Sequence, residues 1–128
     1  MLKILLVDDE ADLCFFLKKN MEDAGGFEVS TCSESGKALI LAKELQPDLV
    51  ILDVLMPGLS GPEVAGQIKT DPRMKNTPVI FLTAIATEQE TASKMNFVGG
   101  QFVVAKPVQM DHLLKVIYQA VKSSSPAK

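Results

Sequence analysis

Hydrophobic residues along this chain follow two rhythms. Lys3 to Val7, Asp48 to Leu52 and Pro78 to Leu82 are dense in Val, Ile and Leu without alternation, the pattern of strands buried on both faces. Phe27 to Cys32 and Gln101 to Ala105 are rich in β-branched or aromatic residues and predict two further strands. The second rhythm fills the gaps between them. Leu13, Phe16, Leu17, Met21 and Ala24 fall at helical spacing and stop at Gly25-Gly26, predicting a first helix with that apolar face. Ala38, Leu41, Ala42 and Leu45 mark a second, after Ser35 and before Pro47. Ser60-x-x-Glu63 and Thr87-x-x-Glu90 have the form of capping boxes, in which hydroxyl and carboxylate satisfy backbone donors left open at a helix start. They predict the third and fourth helices. Met110, Leu113, Leu114, Ile117 and Val121 predict the fifth, which fades into Ser123-Ser124-Ser125-Pro126.

Strand and helix thus alternate five times. Parallel neighbours need crossover connections, and those are right-handed, so the alternation predicts an α/β fold with a parallel sheet covered by helices on both faces. The 128 residues, 47% of them apolar, suffice for one domain and one core. That domain is expected over residues 1–122, with 123–128 as a flexible tail or the start of a linker.

Charge narrows the function. Thirteen basic against 16 acidic residues leave a net charge of -3 with no Lys/Arg cluster, which argues against direct nucleic-acid binding. Cys14 and Cys32 have no metal-ligand spacing and read as reduced packing residues. The apolar run in MLKILLVDDE stops at three acids, and no stretch approaches membrane-spanning length. A cytoplasmic protein without membrane association is expected.

Ligands of open parallel sheets bind beyond the carboxyl ends of the strands. There the chain places Asp8, Asp9 and Glu10 after the first strand, Asp53 after the third, Thr83 after the fourth and Lys106 after the fifth. Each has an ordinary reading: Asp9 or Glu10 as a helix cap, Thr83 as a strand residue, Lys106 as a solvated charge. As a set they describe phosphoryl transfer. Carboxylates brought close together repel and call for a cation. Magnesium suits a few carboxylates completed by water and phosphate oxygens. Asp53 can act as nucleophile while Lys106 and Thr83 contact phosphate oxygens.

These residues, in LLVDDE, LVILDVLMPGLSG, IFLTA and Lys106-Pro107, resemble the receiver domains of two-component response regulators over residues 2–122. The resemblance implies a flavodoxin-like (βα)5 three-layer sandwich with strand order 2-1-3-4-5. It implies an aspartyl phosphate on Asp53, taken from a histidine kinase, a phosphotransfer protein or a small phosphodonor. Mg²⁺ would be held by Asp9, Asp53, the Leu55 main-chain carbonyl and, through water, Asp8. The domain would be regulatory rather than an enzyme, though it would promote its own phosphoryl transfer and dephosphorylation. It would signal to a downstream protein or output domain through the fourth helix, fifth strand and fifth helix.

Some positions depart from the family. Val103 stands where many members have an aromatic switch residue, and the adjacent Phe102 should face the other side of the strand. This favours the alternative reading, a phosphate-independent pseudo-receiver acting as a protein-binding module. Against it, the acceptor, the acidic pair and the lysine are all present. An aspartate-nucleophile phosphatase would need a second Asp where Leu55 stands, and no strand end carries the glycine- and hydroxyl-rich phosphate loop of a flavin carrier. His112, early in the last helix beside Asp111, reads as a surface or structural residue rather than a relay histidine. Leu55 and Ile85, two residues after the acceptor and the threonine, are apolar and cannot position an attacking water. The phosphoryl group should therefore outlast seconds; timing its loss from the isolated protein checks this, and a lifetime of seconds would contradict it.

Overall fold

The computed structural model describes residues 1–84, 97–98 and 101–124. Strands β1 (Leu2–Val7), β2 (Phe27–Cys32), β3 (Leu49–Asp53), β4 (Val79–Thr83) and β6 (Gln101–Ala105) are those expected from the sequence, displaced by a residue at most at either end. A sixth, β5 (Phe97–Val98), has only two residues and was not expected. The sheet order is β2-β1-β3-β4-β6-β5. The five longer strands are parallel in the order 2-1-3-4-5 of the doubly wound, flavodoxin-like fold. The short strand pairs antiparallel with β6 at the sheet edge.

Four helices lie among the described residues: α1 (Ala11–Ala24), α2 (Ala38–Leu45), α3 (Gly61–Lys69) and α4 (Met110–Ser124). The helix expected from Thr87 and Glu90 falls outside the described residues. So does Ile85, and with them part of the expected output face.

Because side chains alternate along a strand, the sheet divides its apolar residues between two cores. Ile4, Leu6, Leu49, Ile51, Ile80, Leu82 and Val104 face α1 and α4, packing on Leu17, Met21, Leu113 and Ile117. Leu5, Val7, Val50, Leu52, Val79 and Phe81 face the other way, onto Ala38, Ala42, Val64 and Ile68 of α2 and α3. The central strands are buried on both sides, which is why they read as unbroken apolar runs.

The first helix differs from expectation. Cys14, Leu17 and Met21 form its buried face, while Phe16 is 49% exposed and Ala24 is exposed as well. Phe16 does sit at helical spacing from Leu13, but the buried stripe runs through Cys14 instead. Both cysteines are free and buried, as expected of packing residues. The Cys14 thiol donates to the Asp8 carbonyl at 3.3 Å. Burial first, and then the Asp8 carboxylate, push its pKa up to about 11, which leaves it an unreactive thiol.

Local signals terminate the helices as their chemistry dictates. Gly25 and Gly26, with φ of 89° and 88°, turn the chain from α1 into β2. At α3, Ser60 Oγ accepts from the Glu63 N–H at 3.3 Å, and Glu63 Oε1 accepts from the Ser60 N–H at 2.9 Å, completing the expected capping box.

Gly61 opens α3 directly against the end of β3, where a Cβ would overlap the Asp53 carbonyl. Helix propensity alone favours alanine over glycine by up to ~1 kcal/mol, whereas forcing a methyl into fixed backbone costs about 1–3 kcal/mol. Gly61→Ala should therefore lower the urea midpoint; a midpoint equal to or above that of the native chain would show that the junction yields.

Candidate functional site

β1 and β3 pair in register, with Val7 opposite Leu52. Asp8, which follows β1, and Asp53, which ends β3, consequently emerge side by side at the carboxyl edge. Asp9 joins them from the β1–α1 turn. Carboxylate oxygens of Asp8, Asp9 and Asp53 all lie within 4.8 Å of one another. Asp8 and Asp53 are buried, whereas Asp9 is exposed.

Lys106 follows β6, and its main-chain N–H donates to the Thr83 carbonyl at 2.9 Å. The Lys106–Pro107 peptide bond is cis. The lysine ammonium reaches into the acidic group, 3.0 Å from Asp8 Oδ2, 2.8 Å from Glu10 Oε1 and 3.4 Å from Asp53 Oδ2. It is thus not a solvated charge, its side chain being only 16% exposed. Asp9, Glu10, Asp53, Leu55, Thr83, Ala84 and Lys106 line a cleft of about 350 Å³. The residues expected at the site from the strand ends are therefore brought together. Thr83 is buried at the end of β4, opposite Ala105 of β6.

Glu10 takes a part that the sequence did not indicate. It occupies the N-cap position of α1 yet makes no side-chain capping bond; its carboxylate goes to Lys106, 96 residues away. Nothing local in the sequence marks that pairing. The Glu10 main-chain N–H is satisfied by Asp8 Oδ1 at 2.9 Å.

The electrostatics follow from crowding. Burial first, and then the charge of Asp8, raise the Asp53 pKa above its usual 3.8, and the Lys106 ammonium only partly offsets this. For Lys106 itself burial opposes the charged form, but the hydrogen bond to Glu10 and the close negative charges of Asp8 and Asp53 outweigh it and hold the pKa above the ordinary lysine value.

Whether a cation fits can be judged from the oxygens. Asp8 Oδ2 is the one buried side-chain oxygen among the described residues with no hydrogen-bond partner, since the nearby ammonium lies within ion-pair distance but outside hydrogen-bond geometry. An unsatisfied buried carboxylate oxygen beside two further carboxylates is a hard, all-oxygen donor set, and a divalent cation would satisfy it.

An open parallel α/β sheet with an acidic cluster, a threonine and a lysine at its carboxyl edge is the architecture of a phospho-acceptor switch. Residues 4–118 match the response regulator receiver domain, and the chain belongs to that family. It is 35% identical to the phosphate regulon transcriptional regulatory protein PhoB of Rhizobium meliloti over 97% of this chain and 54% of that protein. It is 28% identical to the polar-differentiation response regulator DivK of Brucella ovis, covering 91% of this chain and 94% of the relative. The chain therefore spans about half the length of PhoB but nearly all of DivK. Among solved structures, the chemotaxis protein CheY4 of Vibrio cholerae superposes with a TM-score of 0.80 at 30% identity, covering 94% of this chain and 98% of that one.

The chain is accordingly a receiver of two-component signalling, a regulatory rather than catalytic module, and Asp8, Asp9 and Asp53 form the acidic cluster typical of the receiver metal site. Receivers of this kind interact with histidine kinases. No helix among the described residues is long and apolar enough to cross a membrane.

The raised Asp53 pKa has a sign that can be tested. An acid whose folded pKa lies above its unfolded value binds more protons when folded, so stability falls as pH rises from the unfolded pKa through the folded one. Asp53→Asn, in metal-free buffer, should stabilise the protein at neutral pH, with the gain shrinking as pH falls toward 3.8. Urea midpoints across that range check this; a loss of stability at pH 7 would reverse the assignment.

Proposed function

We propose that Asp53 is the phosphoryl acceptor of this receiver, and that Asp8, Asp9, Asp53 and the Leu55 main-chain carbonyl hold a Mg²⁺ ion required for the transfer. The observation that carries this reading is the meeting of three carboxylates within 4.8 Å with the Lys106 ammonium 3.4 Å from Asp53 Oδ2. A phosphoryl group entering this edge would find a nucleophile, a fixed positive charge and a site for a divalent cation, which is most of what phosphoryl transfer asks of a protein.

Asp53 attacks phosphorus through a carboxylate oxygen. The bond from phosphorus to the donor nitrogen or oxygen breaks, and its electron pair leaves with the donor. Burial beside Asp8 raises the Asp53 pKa in the metal-free site, and a divalent cation held by the same carboxylates would keep Asp53 ionised as the nucleophile. Lys106 turns its ammonium to the phosphoryl oxygens, and Thr83 supplies its hydroxyl to them from the end of β4. Magnesium held by Asp8, Asp9 and Asp53 would supply positive charge to neutralise the transferring oxygens.

A histidine kinase or phosphotransfer protein would supply the phosphoryl group, and a downstream protein or output domain would read the result. The Leu55 side chain, 65% exposed at the mouth of the cleft, presents only apolar surface to the acceptor. This agrees with a phosphoryl group that receives no help in hydrolysis from that position.

Acetyl phosphate with Mg²⁺ should add the mass of one phosphoryl group to the intact protein. Asp53→Asn and chelation of the metal should each abolish the addition. Persistence of the modification in Asp53→Asn would transfer the acceptor role elsewhere; no modification of the native chain would make it a phosphate-independent binding module.

A further inference from the structure

The β3–α3 loop that carries Leu55 is fixed at its stem by its own backbone: the Val54 N–H donates to the Leu82 carbonyl and the Gly61 N–H to the Val54 carbonyl, both at 2.9 Å. Its tip is held from elsewhere. Ser35, which opens the single 3-10 turn leading into α2, is 4% exposed. Its hydroxyl donates to the Pro57 carbonyl at 2.9 Å and accepts from the Leu59 N–H at 2.9 Å. These two groups flank Gly58, whose φ of 84° bends the chain around the hydroxyl. A Cβ on Gly58 would meet Ser35 Oγ at 3.0 Å. One side chain, 22 and 24 residues distant in sequence from its two partners, thus satisfies a donor and an acceptor that a loop cannot pair within itself.

We propose that Ser35 is a positioning residue for phosphorylation: its hydroxyl sets the conformation of the loop between Val54 and Ser60, and thereby the affinity of the site for Mg²⁺. The proposal rests on the acceptor and metal reading above, because Leu55 would reach the metal through its main chain and only the loop backbone can aim that carbonyl. A residue that fixes such a ligand from behind typically governs metal affinity by about tenfold or more.

The test is calorimetric titration of Mg²⁺ into the native chain, Ser35→Ala, Ser35→Thr and Asp71→Asn. Asp71 serves as the stability control: it is buried and paired to Arg73 at 2.8 Å, beyond the far end of α3 from the acceptor. Ser35→Ala should bind Mg²⁺ about tenfold more weakly and expose the Leu59 amide to hydrogen exchange without metal. Ser35→Thr, which keeps the hydroxyl, should restore most of the affinity. Phosphorylation of Ser35→Ala should recover its rate at saturating Mg²⁺.

Native affinity in Ser35→Ala, or an equal loss in Asp71→Asn, overturns the proposal. If Ser35→Ala does not fold, Gly58→Ala distorts the same bend from the other side; native affinity in that variant also overturns it. Failure of the native chain itself to bind Mg²⁺ refutes the acceptor and metal reading instead.

Discussion

One ammonium among four carboxylates sets the terms for the rest of the molecule. Buried like charges are tolerated only when something of opposite sign reaches them, and at this edge the reach comes from Lys106. Neighbouring strands are ~4.8 Å apart, so β6 lies about 10 Å from β3 across β4. A long side chain spans that distance where a short one would not. The lysine must also leave β6 at the edge where β1 and β3 deliver Asp8 and Asp53, and a parallel sheet alone ends all these strands on one side. Strand order, strand direction and the identity of residue 106 are therefore parts of a single electrostatic requirement.

That requirement explains what could be read from the chain. The central strands were legible because both of their faces are buried, so Ile4 to Val7 and Leu49 to Leu52 leave no polar interruption. Their ends were legible for the converse reason: a carboxylate, a hydroxyl or an amine at the end of a buried run has no place in either core. The capping box at Ser60 and Glu63 was legible because it is local, its partners three residues apart. Contacts that depend on folding across long separations left no local trace. Glu10 looked like a cap, and only the folded chain brings it to Lys106. Ser35 looked like the punctuation before a helix, although its hydroxyl serves the loop on the far side of β3. The two-residue β5 is too short to carry a period, and Phe16 obeyed the helical spacing while lying just outside the buried stripe.

The edges of the sheet are met in part by other elements of the chain. An edge strand presents unpaired backbone groups that invite another chain. At β2 the outward-facing groups of Val29 are taken by α1, with the Val29 N–H donating to Glu22 Oε2 at 3.0 Å and Lys18 Nζ donating to the Val29 carbonyl at 2.7 Å. The two side chains pair with each other at 2.9 Å. The Val29 amide first, and then Lys18, hold the Glu22 carboxyl below its usual pKa, so it remains an acceptor. At the opposite side the two-residue β5 pairs with Gln101 and Phe102 of β6. The buried polar oxygen left unsatisfied among the described residues is Asp8 Oδ2, beside the acceptor. Among the described residues, the fold pairs its other buried side-chain polar atoms and leaves the deficit at the oxygen where a cation would make it good.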